Sequence, residues 1–148
     1  MICTEVIGNL ETYHTGDRAR VLLNLQWFEV TKRIMRKRAE DGHEVVIKLL
    51  KEGTRLKEGD IVYEDSDKAV VVNILPCDAI QVTPRSIYEM GMVCYEIGNK
   101  HLPLFIQGDC VLIPYEKPLE RLLVASGYDV AKTHCKLLNM LEASIEPH

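Results

Sequence analysis

Five histidines and five cysteines are the side chains of this 148-residue chain best able to hold a metal or attack a substrate, and their spacing sorts them. No pair among Cys3, Cys77, Cys94, Cys110 and Cys135 has the C-x-x-C spacing of a zinc ribbon or a thioredoxin-type site, so they read as reduced, buried thiols. His43-Glu44-Val45-Val46 opens like the zinc-protease helix H-E-x-x-H, but Ile47 stands at the fifth position. The segment also reads as a strand, where residues four apart do not converge as they do on a helix. His14 and His43 adjoin turn residues and are expected to be exposed and idle. His134 and Cys135 are neighbours on a predicted strand, so their side chains leave opposite faces and cannot chelate one ion together. His101 differs in setting. It follows a predicted helix end at Gly98 by three residues, on a connection that can present an imidazole outward. One imidazole makes no metal site within one chain, so the residues alone favour a surface or structural role. Phosphate-binding, dinucleotide and nucleophile-elbow motifs are absent, and no serine–histidine placement favours a triad.

The elements that must position these groups fall into two sets. Residues 1–74 read as an all-β domain, a small sandwich or barrel of hairpins. Ala19–Leu25 is one strand, near Trp27 and Phe28. Arg36–Glu40 and His43–Leu49 flank Asp41-Gly42, a signal for a type I′ hairpin turn. Asp60–Glu64 and Lys68–Val72 form a second hairpin through Asp65-Ser66-Asp67, with Gly59-Asp60 turning into it.

Residues 76–141 change character. Asp78–Thr83 reads as a strand, and Ser86 with Glu89 forms a capping box that opens a helix. Ile87, Met90, Cys94 and Ile97 give that helix one apolar face, and Gly98 suits its left-handed end. Leu104–Gln107 and Cys110–Ile113 form a hairpin through Gly108-Asp109. Pro118 suits the first turn of a second helix with a stripe of Leu119, Leu122 and Leu123, ended by Gly127 before a last strand from Tyr128 to Leu137. Strand, helix, strand, strand, helix, strand is the split βαβ, ferredoxin-like order, which makes the chain α+β. Residues 142–148 read as a short mobile tail ending in His148.

With 47% hydrophobic and 27% charged residues, the chain has the composition of a globular protein. A net charge of −4 argues against a nucleic-acid partner, which usually demands a basic excess. The basic run Lys32–Arg38 reads as a solvated strand face rather than a docking site for an acidic partner. No apolar run approaches the roughly 20 residues that span a bilayer, and Met1-Ile2-Cys3-Thr4-Glu5 lacks the start of a signal peptide. The expected compartment is therefore the cytoplasm, with no membrane partner.

Residues 91–106, Gly-Met-Val-Cys-Tyr-Glu-Ile-Gly-Asn-Lys-His-Leu-Pro-Leu-Phe-Ile, closely resemble the signature of the UreE family of urease accessory nickel chaperones, around its G-N-R-H segment. Leu56-Lys57-Glu58-Gly59-Asp60-Ile61-Val62-Tyr63 looks like that family's first-domain segment, and the resemblance extends over essentially residues 1–140. It implies a carrier rather than an enzyme, with a peptide-binding-like first domain and a second domain that dimerises. In such a homodimer His101 meets its symmetry mate and binds Ni²⁺, and a tail histidine, here His148, adds a ligand. The ion then passes to the GTPase UreG and the urease apoprotein complex. A tetramer of two dimers bridged by a metal stays open.

The sequence departs from the family pattern in three places. Lys100 replaces the usual arginine, and Tyr115 and Lys117 occupy positions where some members carry accessory histidines. The tail ends in Ile145-Glu146-Pro147-His148 rather than a histidine-rich store. A capacity of one ion per dimer plus weak extras follows. The chemistry is consistent with a carrier, because a two-fold axis turns one histidine per chain into two imidazoles facing one ion. Imidazole suits Zn²⁺ and Cu²⁺ as well as Ni²⁺, so selectivity for nickel rests on the resemblance. Two competing readings stay open: a protein- or peptide-interaction module with an incidental His101, and a small metallohydrolase whose only nearby bases are Glu89 and Glu96.

Overall fold

The computed structural model describes residues 1–142, so the tail from residue 143, including His148, lies outside the described residues. The chain divides into two compact units, the first Met1–Leu75 and the second beginning at Pro76.

The first unit is all β. Its strands are β1 (Ile2–Cys3), β2 (Gly8–Asn9), β3 (Ala19–Leu25), β4 (Ile34–Arg38), β5 (Glu44–Lys48), β6 (Asp60–Glu64) and β7 (Lys68–Ile74). They form two sheets, ordered β1-β5-β4 and β2-β6-β7-β3. The β4–β5 and β6–β7 hairpins lie where the turn residues place them. The turn between β4 and β5 is not type I′, because Gly42 alone has a positive φ (91°) there. The Gly42 N–H donates to the Ala39 carbonyl (2.9 Å) and the Ala39 N–H to the His43 carbonyl (2.8 Å), a type I turn closed by a left-handed glycine. Not every strand is a hairpin partner, since β3 pairs with β7 in parallel from Ala19↔Lys68 to Leu25↔Ile74. This accounts for the apolar run Ala69-Val70-Val71-Val72, buried throughout: β7 is a central strand with β6 on one side and β3 on the other.

The second unit is α+β: β8 (Cys77–Val82), α1 (Ile87–Asn99), β9 (Phe105–Gln107), β10 (Cys110–Pro114), α2 (Lys117–Ala125) and β11 (Val130–Cys135). The sheet order is β11-β8-β10-β9 with every pairing antiparallel, as a split βαβ repeat requires. Ile80, Val82, Val111 and Ile113 on the strands pack with Val93, Ile97, Leu119 and Leu123 on the helices. The segment after β11 returns to the open edge of β9, where Met140 bridges Phe105 and the Leu141 N–H donates to the Leu104 carbonyl (2.9 Å).

Four local expectations are corrected. In α1 the buried residues are Val93 and Ile97, with Met90 and Cys94 half-buried beside them. Ile87 is 92% exposed, because it lies at the margin of the stripe in the first turn, where nothing packs over it. In α2, Leu122 is exposed while Leu119 and Leu123, one turn apart, carry the burial. Gly98 does not end α1, which continues to Asn99. Ser86 caps the start as expected, its hydroxyl accepting from the Glu89 N–H (3.0 Å), but the reciprocal contact is missing and Glu89 Oε1 is buried without a hydrogen bond.

Candidate metal centre

The end of α1 is a Schellman motif. With Lys100 as C-cap, the His101 N–H donates to the Gly98 carbonyl (3.0 Å) and the Leu102 N–H to the Ile97 carbonyl (3.3 Å). Leu102 packs into the same core as Ile97, the hydrophobic contact that accompanies this motif. The closing residue must be left-handed, and here it is His101, with φ 56°. The second helix ends identically: Gly127 donates to the Val124 carbonyl (3.0 Å), Tyr128 to the Leu123 carbonyl (3.3 Å), and Gly127 has φ 89°. Two helices of one unit thus end in one motif, with glycine at the critical position of one and histidine at that of the other. A side chain in this conformation costs about 1–2 kcal/mol that glycine avoids. Such strain persists where the side chain is needed.

The imidazole of His101 is exposed and has no hydrogen-bond or ionic partner among the described residues. No group of three or more His, Cys, Asp or Glu side chains that could hold an ion occurs among them either. Among the described residues, one copy of this chain therefore offers His101 as a single exposed donor.

The other histidines are differently placed. His14 is exposed. His43 is exposed but not idle, because its Nδ1 lies 2.9 Å from Asp41 Oδ2 and 3.0 Å from Lys68 Nζ. Lys68 also donates to Asp41 Oδ2 at 2.6 Å, and these hydrogen bonds from Lys68 and His43 hold the Asp41 carboxyl well below the usual range. His134 stands opposite Asp78, with Nδ1 3.0 Å from Oδ1, while Cys135 stands opposite Cys77, so the alternation of the strand separates the two neighbours.

Tyr115 donates its hydroxyl to Glu120 Oε1 (3.0 Å), which keeps the phenol protonated, and Lys132 Nζ lies 4.3 Å over its ring. An engaged phenol there supplies no imidazole nitrogen in place of a histidine. Of the two candidate bases, Glu89 has its Oε2 3.7 Å from Arg85. Burial, and then the carboxylate of Glu96, push the Tyr128 phenol up, so Glu96 is engaged with Tyr128.

The exposed side of α1 leads to His101. Ile87, Tyr88, Gly91, Tyr95 and Gly98 are all exposed, Tyr88 at 76% and Tyr95 at 67%. At 100° per residue they fall within about 100° of arc on α1, a face without charge that ends next to His101. Its signal was available: Tyr88 and Tyr95 are seven apart, as are Gly91 and Gly98. Open space surrounds both glycines.

Comparison with known proteins agrees with the arrangement in both units. Residues 3–75 match the family model for the UreE urease accessory protein N-terminal domain, and residues 78–137 match that for its C-terminal domain. A urease accessory protein UreE of Flavobacterium johnsoniae is 51% identical over 148 residues, covering 100% of this chain and 90% of that protein. UreE of Haemophilus influenzae is 44% identical over 147 residues (97% of this chain, 80% of that one), and UreE of Acetivibrio thermocellus 39% over 145 residues (98% and 94%).

Proposed function

Since the chain belongs to the UreE urease accessory protein family, we propose that it is a nickel carrier: a cytoplasmic homodimer that binds Ni²⁺ between the His101 imidazoles of two copies and delivers it for urease maturation. The observation that carries this reading is the left-handed histidine. His101 closes a Schellman motif where its twin in α2 uses glycine, and it points an unpartnered imidazole into solvent. A residue kept there against its backbone preference serves something other than the fold.

The face of Ile87, Tyr88, Gly91, Tyr95 and Gly98 gives the dimer its contact. Glycines let two backbones approach, tyrosines supply rigid apolar area, and no charge has to be desolvated. Of the apolar stripe Ile87, Met90, Cys94 and Ile97 read from spacing, Ile87 alone lies on this face, and the rest serves the domain core. A two-fold axis through this surface brings the two histidines together and completes a site that one chain lacks.

Tail position supports a further ligand. Leu141 is anchored beside Leu104, three residues past His101, and His148 follows seven residues later. Seven residues reach at most about 25 Å, ample to return to His101. Two imidazoles, tail donors and water make a shell that opens by ligand exchange, which suits hand-off to the GTPase UreG and the urease apoprotein. Zn²⁺ and Cu²⁺ fit the same donors.

The test is a calorimetric Ni²⁺ titration with mass measured in solution, with and without chelator. The expected result is one tight Ni²⁺ per two chains and a dimer that persists in chelator. One tight ion per monomer, unaffected by His101→Ala, would overturn the reading.

A further inference from the structure

Cys77 opens β8 and Cys135 closes β11, and the two are directly opposite in antiparallel register. Directly opposed residues share one face of a sheet with Cβ atoms about 4.5–5.5 Å apart. Both thiols are free and half-buried, so they are neither sealed in the core nor fully solvated. The pair preceding them in the register, Asp78 and His134, lies on the opposite face and is hydrogen-bonded to itself at 3.0 Å. No third His, Cys, Asp or Glu joins the cysteines among the described residues. Two thiols with no third donor exclude ions that demand four or more ligands and single out soft cations content with two.

From this juxtaposition we propose that Cys77 and Cys135 form a two-thiolate site for a soft monovalent cation of the Cu⁺ type, separate from His101. A metal–thiolate bond is about 2.3 Å, so two sulfurs on either side of one ion stand about 4–4.6 Å apart, within reach of side chains paired in this way. Soft thiolates select Cu⁺ over Ni²⁺. Binding displaces both thiol protons, two R–SH and one Cu⁺ giving the bis-thiolate Cu(SR)₂⁻ and two H⁺, with no change of oxidation state. Burial pushes both thiols up, and repulsion from the Cys135 charge raises Cys77 further, which favours the protonated forms until a cation binds. A cation between them reverses that repulsion.

The experiment is anaerobic titration of the full chain with Cu⁺ against a chromophoric Cu⁺ chelator, in a phosphine reductant. Alkylation mapped by mass spectrometry then identifies the protected thiols. One Cu⁺ per chain is expected, protecting Cys77 and Cys135 while Cys94 and Cys110 stay reactive. Cys77→Ser or Cys135→Ser should each weaken binding at least tenfold, and His101→Ala should leave it unchanged. The Ni²⁺ titration of the double serine variant should match that of the parent, which also reports that it is folded. Failure of the parent to withdraw Cu⁺ from the chelator, protection of other cysteines, or undiminished binding by the serine variants would overturn the proposal.

Discussion

His101 concentrates the functional argument in one backbone angle. At φ 56° any residue with a Cβ is disfavoured by about 1–2 kcal/mol relative to glycine, while glycine loses about 0.5–1 kcal/mol in chain entropy. His101→Gly should therefore leave thermal stability unchanged or raise it by up to about 1.5 kcal/mol, yet abolish the tight Ni²⁺ site. Calorimetry and thermal unfolding of the same sample check both halves, and a clear loss of stability would show that the imidazole serves the fold. His101→Ala should lose the site equally and keep the dimer. Deleting residues 144–148 should weaken Ni²⁺ binding only modestly, by about 1–2 kcal/mol, because the two His101 imidazoles keep the ion and the cost of ordering a further ligand offsets much of its gain. Unchanged affinity in that titration would remove His148 from the shell.

The elements that hold the site depend on caps and turns at identifiable residues. Ser86→Ala removes the hydroxyl that accepts from the Glu89 N–H, and loss of such a cap costs about 1 kcal/mol. Ile97→Ala, at a fully buried position in the last turn of α1, should cost about 2–5 kcal/mol and loosen the motif that orients His101. Denaturant unfolding separates these two magnitudes.

In the first unit, Asp41 ties the β4–β5 turn to Lys68, and its carboxyl is depressed by that hydrogen bond and by His43. A folded pKa below the unfolded value, ordinarily about 3.9, gives stability present above that pH and lost as pH falls below it. Asp41→Asn should accordingly lower the melting temperature at pH 7, and by less at pH 2. Equal losses at both pH values would mean that the charge contributes nothing.

For the whole molecule the decisive surface is the uncharged face of α1. Tyr95 is 67% exposed within one chain, so Tyr95→Glu should leave each monomer folded. Two carboxylates brought together at a two-fold axis repel and must be desolvated, so the dimer should dissociate at micromolar concentration and the tight Ni²⁺ site should vanish with it. Sedimentation and titration of this variant link assembly to binding: a dimer that survives would place the interface elsewhere. No helix among the described residues is long and apolar enough to cross a membrane.

Much of this protein is legible one residue at a time. Asp65-Ser66-Asp67, Gly127 and Ser86 are local devices whose backbone preferences operate whatever surrounds them, and each stands where its chemistry predicts. The order of elements after Pro76 likewise follows from periodicity and turn residues, and the family motif around His101 is contiguous sequence. Three features were decided only by the folded chain. The parallel pairing of β3 with β7 joins residues about fifty apart, and no local pattern specifies a partner at that separation. The α1 stripe turned on which residues the sheet reaches, which left Ile87 outside and Val93 within. The left-handed turn passed from Gly98 to His101 because the helix continues until Leu102 can drop into the core beside Ile97, and that packing, not the nearest glycine, sets where the chain must reverse.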